Sequence, residues 1–212
     1  MKETSYQYRV GFIDDDDDKI SEYGKILARS GIELLFTKEC TSMPEIRDWL
    51  VENEIECFMI DYQLMDTGIF DFQGTKLVAY LDSVMPDLVC LIMTNHRDDA
   101  SNEMMLPEEL TWDRDVFEDN DKTKRLVTFL KHSAEVFRTR INFKQAKYNK
   151  IYNQGEPPAG EDLVELKRLH KELAIYGLTD DISSELLDPK VEAQIHELIN
   201  KVDEFLLSTK NV

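Results

Sequence analysis

The sequence predicts a doubly wound α/β fold with a five-stranded parallel sheet, followed by an α-helical C-terminal region. Two observations carry the α/β part. Short, near-continuous apolar runs alternate with helical periodicity five times over about 120 residues, as strands buried on both faces do. Several of those runs also end on polar side chains able to do chemistry. A third observation separates the tail. Residues 1–130 hold 13 Lys and Arg against 29 Asp and Glu, a balance of −16, whereas 131–212 hold 12 against 14, a balance of −2. The chain is therefore divided into 1–130 and a helical 131–212.

Taken in order, "YRVGFI" (Tyr8–Ile13) is a short apolar strand. Ile20, Tyr23, Ile26 and Leu27 then recur at helical spacing, and Ser30-Gly31 ends that helix because glycine adopts the left-handed cap conformation readily. "IELLFT" is the second strand, and "MPEIRDWLVEN" the second helix, with Pro44 in its first turn. "IECFMID" ends on Asp61, and "DLVCLIMT" ends on Thr94, with the helix "TKLVAYLDSV" between them. "NHRDDASNEMMLPEEL" reads as a weak or broken helix and "WDRDVFE" as the fifth strand.

The aspartate run "GFIDDDDDKI" raises a physical question, since adjacent carboxylates repel one another. In a doubly wound sheet the functional site lies beyond the carboxyl ends of the strands. Asp14 and Asp15 follow strand one, Asp61 ends strand three and Thr94 ends strand four, so all four converge on one edge. A plainer role, capping the first helix at its positive end, suits Asp17 or Asp18.

With these residues in place, the segment from about Arg9 to Lys131 resembles a response-regulator receiver (CheY-like) domain. "FIDDDDD", "CFMIDYQLM" and "CLIMTN" match its three strand-end elements in order. The resemblance implies that Asp14, Asp15 and Asp61, with the backbone carbonyl of Gln63, bind Mg²⁺. It implies that Asp61 accepts a phosphoryl group from a histidine kinase or other phosphodonor, and that Thr94 hydrogen-bonds it. Mg²⁺ is a hard cation suited to such oxygen ligands. The family also carries a lysine at the end of strand five, followed by proline. Here Glu118 or Asp119 falls about there, no proline follows, and Arg114 and Lys122 are the nearest cations, neither well placed for a strand terminus. A degenerate pseudo-receiver, a protein-binding subunit of a larger complex, is therefore the alternative expectation. The chain is not expected to be an enzyme beyond self-phosphorylation from a phosphodonor.

The tail opens with one long helix from Lys122 to Asn153 whose 131–150 stretch is basic. A turn-rich break, "NQGEPPAGED", and the amphipathic helix "LVELKRLHKELAIYGL" follow. His132 and His170 sit on helices without a phosphotransfer motif around them and are expected on exposed faces. After Asp188-Pro189, the residues Val191, Ile195, Leu198, Val202 and Phe205 step by four and three, a coiled-coil-like seam. That seam predicts a homodimer or a protein partner held through the C-terminal helices. The acidic first part disfavours a nucleic-acid surface, and a regulator using the basic helix keeps only a minor place. No apolar run is long enough to span a bilayer, and no secretory h-region opens the chain, so a cytoplasmic protein is expected. Cys40, Cys57 and Cys90 lack metal-ligand spacing and fit free thiols in a reducing compartment.

Overall fold

The computed structural model describes residues 6–14, 20–66, 68–95, 107–154, 157–179 and 182–209. Its internal contacts divide the chain into two compact units, Met1–Arg140 and Ile141–Val212. The first unit thus takes in more of the basic helix than the charge change at 130 suggests.

The strands of the first unit are β1 (Tyr8–Ile13), β2 (Ile32–Phe36), β3 (Cys57–Asp61), β4 (Val89–Thr94) and β5 (Thr111–Asp113). They form one parallel sheet in the order β2-β1-β3-β4-β5. This is the doubly wound, CheY-like order, and its direction reverses at β1 and β3, where such sheets carry their sites. Helices α1 (Ile20–Ala28), α2 (Met43–Glu52) and α3 (Gly74–Val84) connect the strands. All five residues of β3 are buried, as a central strand covered on both faces requires.

Local chemistry sets the helix ends. Gly31, at φ 77°, closes α1 and donates its N–H to the Ala28 carbonyl at 3.0 Å. Ser42 and Glu45 form a reciprocal capping box at the start of α2, with Pro44 between them in the first turn. One core cluster gathers Val10, Phe12, Leu27, Met59, Leu91 and Leu130, joining the sheet to α1 and to α4 (Asn120–Tyr152).

The fifth strand is shorter than the expected "WDRDVFE". The chain leaves the sheet after Asp113, and Arg114–Phe117 forms a 3₁₀ turn instead. Val116 is buried in that turn, and the Phe117 ring stacks on Tyr23 of α1 with centroids 3.9 Å apart. Packing Val116 and, in part, Phe117 against the core through a turn replaces the last strand residues. Most of the expected broken helix "NHRDDASNEMMLPEEL" lies outside the described residues; Glu108–Leu110 is a 3₁₀ turn.

The second unit contains the end of α4, α5 (Gly160–Ala174) and α6 (Pro189–Thr209). Ile151, Leu166 and Leu169 form its small core, with Tyr148 and Leu187 packed against it. His170 is a correction to the expected exposed histidine, because it is buried. Its Nε2–H donates to the Ile182 carbonyl at 3.0 Å, leaving Nδ1 to accept from the Tyr148 hydroxyl at 3.3 Å. No helix among the described residues is long and apolar enough to cross a membrane.

Candidate functional site

The reversal of the sheet places the carboxyl ends of β1 and β3 side by side, with Ile13 paired to Ile60. Asp14 follows β1 and Asp61 ends β3, and each is only 2% exposed. Thr94 ends β4 and is equally sheltered, one register position beyond the Asp61–Met93 pair. Asp15 lies outside the described residues. The structure thus brings three of the expected site residues, Asp14, Asp61 and Thr94, to one edge.

The backbone around Asp61 is tightly held. Tyr62 donates its N–H to the Met93 carbonyl at 3.0 Å, and Gly74, the first residue of α3, donates to the Tyr62 carbonyl at 3.0 Å. A Cβ at Gly74 would lie 2.0 Å from the Asp61 carbonyl oxygen, so only glycine allows the helix to start this close to the site. Gln63 donates its N–H to Asp61 Oδ2 at 3.1 Å, and its carbonyl accepts from the Asp66 N–H at 3.3 Å.

Arg114 is the residue that sequence reasoning misplaced. As the first residue after β5, it turns its guanidinium into the site. Nη2 donates to Asp14 Oδ2 at 3.0 Å, while Nε donates to Asp61 Oδ1 at 3.1 Å and Nη2 also pairs with that oxygen. Its side chain is 17% exposed. Burial alone would push this guanidinium down, but the charges of Asp61 and Asp14 and their hydrogen bonds outweigh it and hold Arg114 above its ordinary range. The cation therefore stays charged throughout the physiological range.

The residues expected in the lysine's place do other work. Asp119 caps α4, accepting from the N–H groups of Asp121 and Lys122 at 2.8 and 3.0 Å. Glu118 closes the 3₁₀ turn through its N–H to the Asp115 carbonyl. Lys122 pairs with Asp115 at 2.7 Å on the surface. The signal that could have identified Arg114 is its place as the first cation after "TWD".

Among the described residues no group of three His, Cys, Asp or Glu side chains is placed to hold a metal ion. With Arg114 where it is, the described residues do not fit a divalent cation. Asp14 and Asp61 already share one positive charge, and Mg²⁺ would have to sit against it.

Fold and site together define a receiver-like unit with an acidic strand-end site held by an arginine. No family model matches the chain, and no curated protein matches it significantly. Solved structures similar to it include the signal receiver domain of an HD domain-containing protein from Pseudomonas fluorescens Pf-5. That likeness has 13% identity, a TM-score of 0.48, and covers 63% of this chain and 91% of that one. A response regulator receiver domain protein from Clostridium thermocellum is 16% identical, with TM-score 0.45, over 64% of this chain and 98% of that one. Full-length FixJ from B. japonicum is 15% identical, with TM-score 0.48, over 86% and 85%. At scores and identities this low the likenesses add no weight of their own. The fold assignment stands on the sheet order and on where the reversal puts Asp14 and Asp61.

Proposed function

We propose that this chain is a response-regulator-like signalling protein in which Asp61 is the switch residue and the C-terminal helices are the output. The observation that supports this is the burial of Asp14, Asp61 and Thr94 together at the carboxyl edge of adjacent strands. In the reaction, a carboxylate oxygen of Asp61 attacks the phosphorus of an acyl phosphate or a kinase phosphohistidine. An O–P bond forms and the donor group leaves with its electron pair. Arg114 supplies positive charge beside that oxygen. Mg²⁺ held by Asp14, Asp15, Asp61 and Gln63 belongs to a version of this reading in which Arg114 leaves the carboxylates. The chain performs no other chemistry, and its free cysteines suit a cytoplasmic, reducing setting.

Acyl phosphate treatment followed by intact mass tests this reading. Wild type is expected to gain one phosphoryl mass, and Asp61→Asn none. A wild type that gains none with any donor overturns the switch. It would leave the second reading, a pseudo-receiver that binds protein partners, which the Arg114 pairing favours because it satisfies both carboxylates internally.

The output is proposed to be self-association through α6. Ile195, Leu198, Ile199 and Val202 are exposed there, Leu198 by 62%. β-Branched Ile195 and Val202 alternate with Leu198 in the seam, the pattern that favours two parallel strands. Light scattering should report a dimer for the full chain and a monomer for the Ile195→Asp/Val202→Asp variant, since unpaired charge is costly in such a seam. A monomeric wild type at tens of micromolar would remove this proposal. The basic stretch 131–150 is less available to nucleic acid than its composition suggests. Arg138 pairs with Glu56, Lys144 with Glu172 and Lys147 with Glu165.

A further inference from the structure

The arginine at the acidic edge sits where a divalent cation would have to go. Asp14 and Asp61 are buried, their backbones are fixed by strand ends, and the guanidinium reaches both. The turn that carries Arg114 is itself anchored. Val116 is buried, Phe117 stacks on Tyr23, and the Thr123 hydroxyl donates to the Val116 carbonyl at 2.7 Å. Arg114 is thus delivered to the carboxylates by a braced backbone, and little conformational freedom remains to be lost when it binds them.

A guanidinium and a divalent ion compete for these two carboxylates. Arg114 takes Asp14 Oδ2 and Asp61 Oδ1, Asp61 Oδ2 already accepts from the Gln63 N–H, and two cations at contact separations repel strongly in a partly dry site. A braced intramolecular cation also competes at high effective concentration, whereas Mg²⁺ must first shed part of its tight hydration shell.

We propose that Arg114 is a resident competitor that closes a latent divalent-cation site between Asp14 and Asp61, so that the protein as it stands is insensitive to Mg²⁺. The inference rests on the same site as the switch reading but not on phosphoryl transfer. Arg114 acts here by occupying the carboxylates. Taking the guanidinium away leaves two buried carboxylates facing each other, and a divalent ion then relieves their repulsion.

The test is metal binding in the full chain without any phosphodonor. Thermal unfolding is followed against Mg²⁺ up to about 20 mM, and Mn²⁺ binding is followed by loss of the free-ion EPR signal. Wild type should not shift and should leave the Mn²⁺ signal intact. Arg114→Ala should rise by about 3 °C or more with Mg²⁺ and take up one Mn²⁺. Arg114→Gln, which is shorter and uncharged but keeps a polar side chain with a hydrogen-bond donor, provides the same readout if the alanine variant is poorly folded. Arg114→Ala/Asp61→Asn should lose the response. A wild type that shifts as much as the variants overturns the proposal, and so does the absence of metal response in both Arg114 variants. Failure of the acyl phosphate experiment would leave this result untouched, because no phosphoryl group takes part in it.

Discussion

Two arginines clamp the first unit at opposite edges of the same sheet, and they do so in different surroundings. Arg114 closes the carboxyl edge on two buried aspartates. Arg138, in α4, closes the amino edge. It pairs with Glu56, just before β3, with Nη2 to Oε2 at 2.8 Å, and reaches the Gln7 carbonyl. Its guanidinium lies over the ring of Tyr8, the first residue of β1, 4.9 Å from the centroid. Tyr8 in turn donates its hydroxyl to Glu135 at 2.7 Å. The Arg138 side chain is 35% exposed, about twice the figure for Arg114. The chemistry is the same at both edges, but water is present at one and largely excluded from the other. Exposure therefore decides what each clamp is worth.

The largest effect is expected at the dry edge. Arg114→Met leaves Asp14 and Asp61 buried without their cation and should cost about 3–5 kcal/mol in urea unfolding at neutral pH. Combining it with Asp14→Asn and Asp61→Asn removes the stranded charges and should recover most of that loss. If the single variant is near neutral, the two carboxylates do not depend on Arg114 and the comparison fails. The smaller effect is expected at the wet edge. Arg138→Ala should cost about 1 kcal/mol, from a screened ion pair and the contact with the Tyr8 ring. Raising the salt to about 1 M should shrink the Arg138 effect and leave the Arg114 effect nearly unchanged, because buried pairs are screened far less. Equal salt sensitivity at both positions would show that exposure is not what separates them.

The sheet was legible because β1 to β4 are short, near-continuous apolar runs, with polar residues at or just beyond their ends, the form that strands buried on both faces take. The placement of Asp14, Asp61 and Thr94 followed from the same rule. The end of the fifth strand was not legible, because nothing in "WDRDVFE" marks where the sheet stops, and its second half buries Val116 from a 3₁₀ turn. Arg114 was read as poorly placed for that reason: its reach depends on the chain leaving the sheet at Asp113 and turning at once, which the local sequence does not mark. His170 was misread for a different reason. It occupies the i+4 slot of the stripe Leu166, Leu169, Leu173, a core position by spacing. The Ile182 carbonyl and the Tyr148 hydroxyl, distant in sequence or across a turn, make an imidazole acceptable there.

The shortness of β5 bears on how these chains behave when crowded. A sheet's outer strand presents unpaired N–H and C=O groups to any passing chain, and long flat outer strands invite stacking into fibrils. β5 has only three residues, Thr111–Asp113, and the backbone coils away at once into a turn carrying Arg114. The opposite outer strand, β2, carries Glu33 within 3.3 Å of Arg9 on its neighbour, a charge pair that an incoming apolar strand would have to cover. Newly made copies meeting at high concentration therefore find little backbone to zip onto at the β5 margin and a charged pair beside the β2 margin.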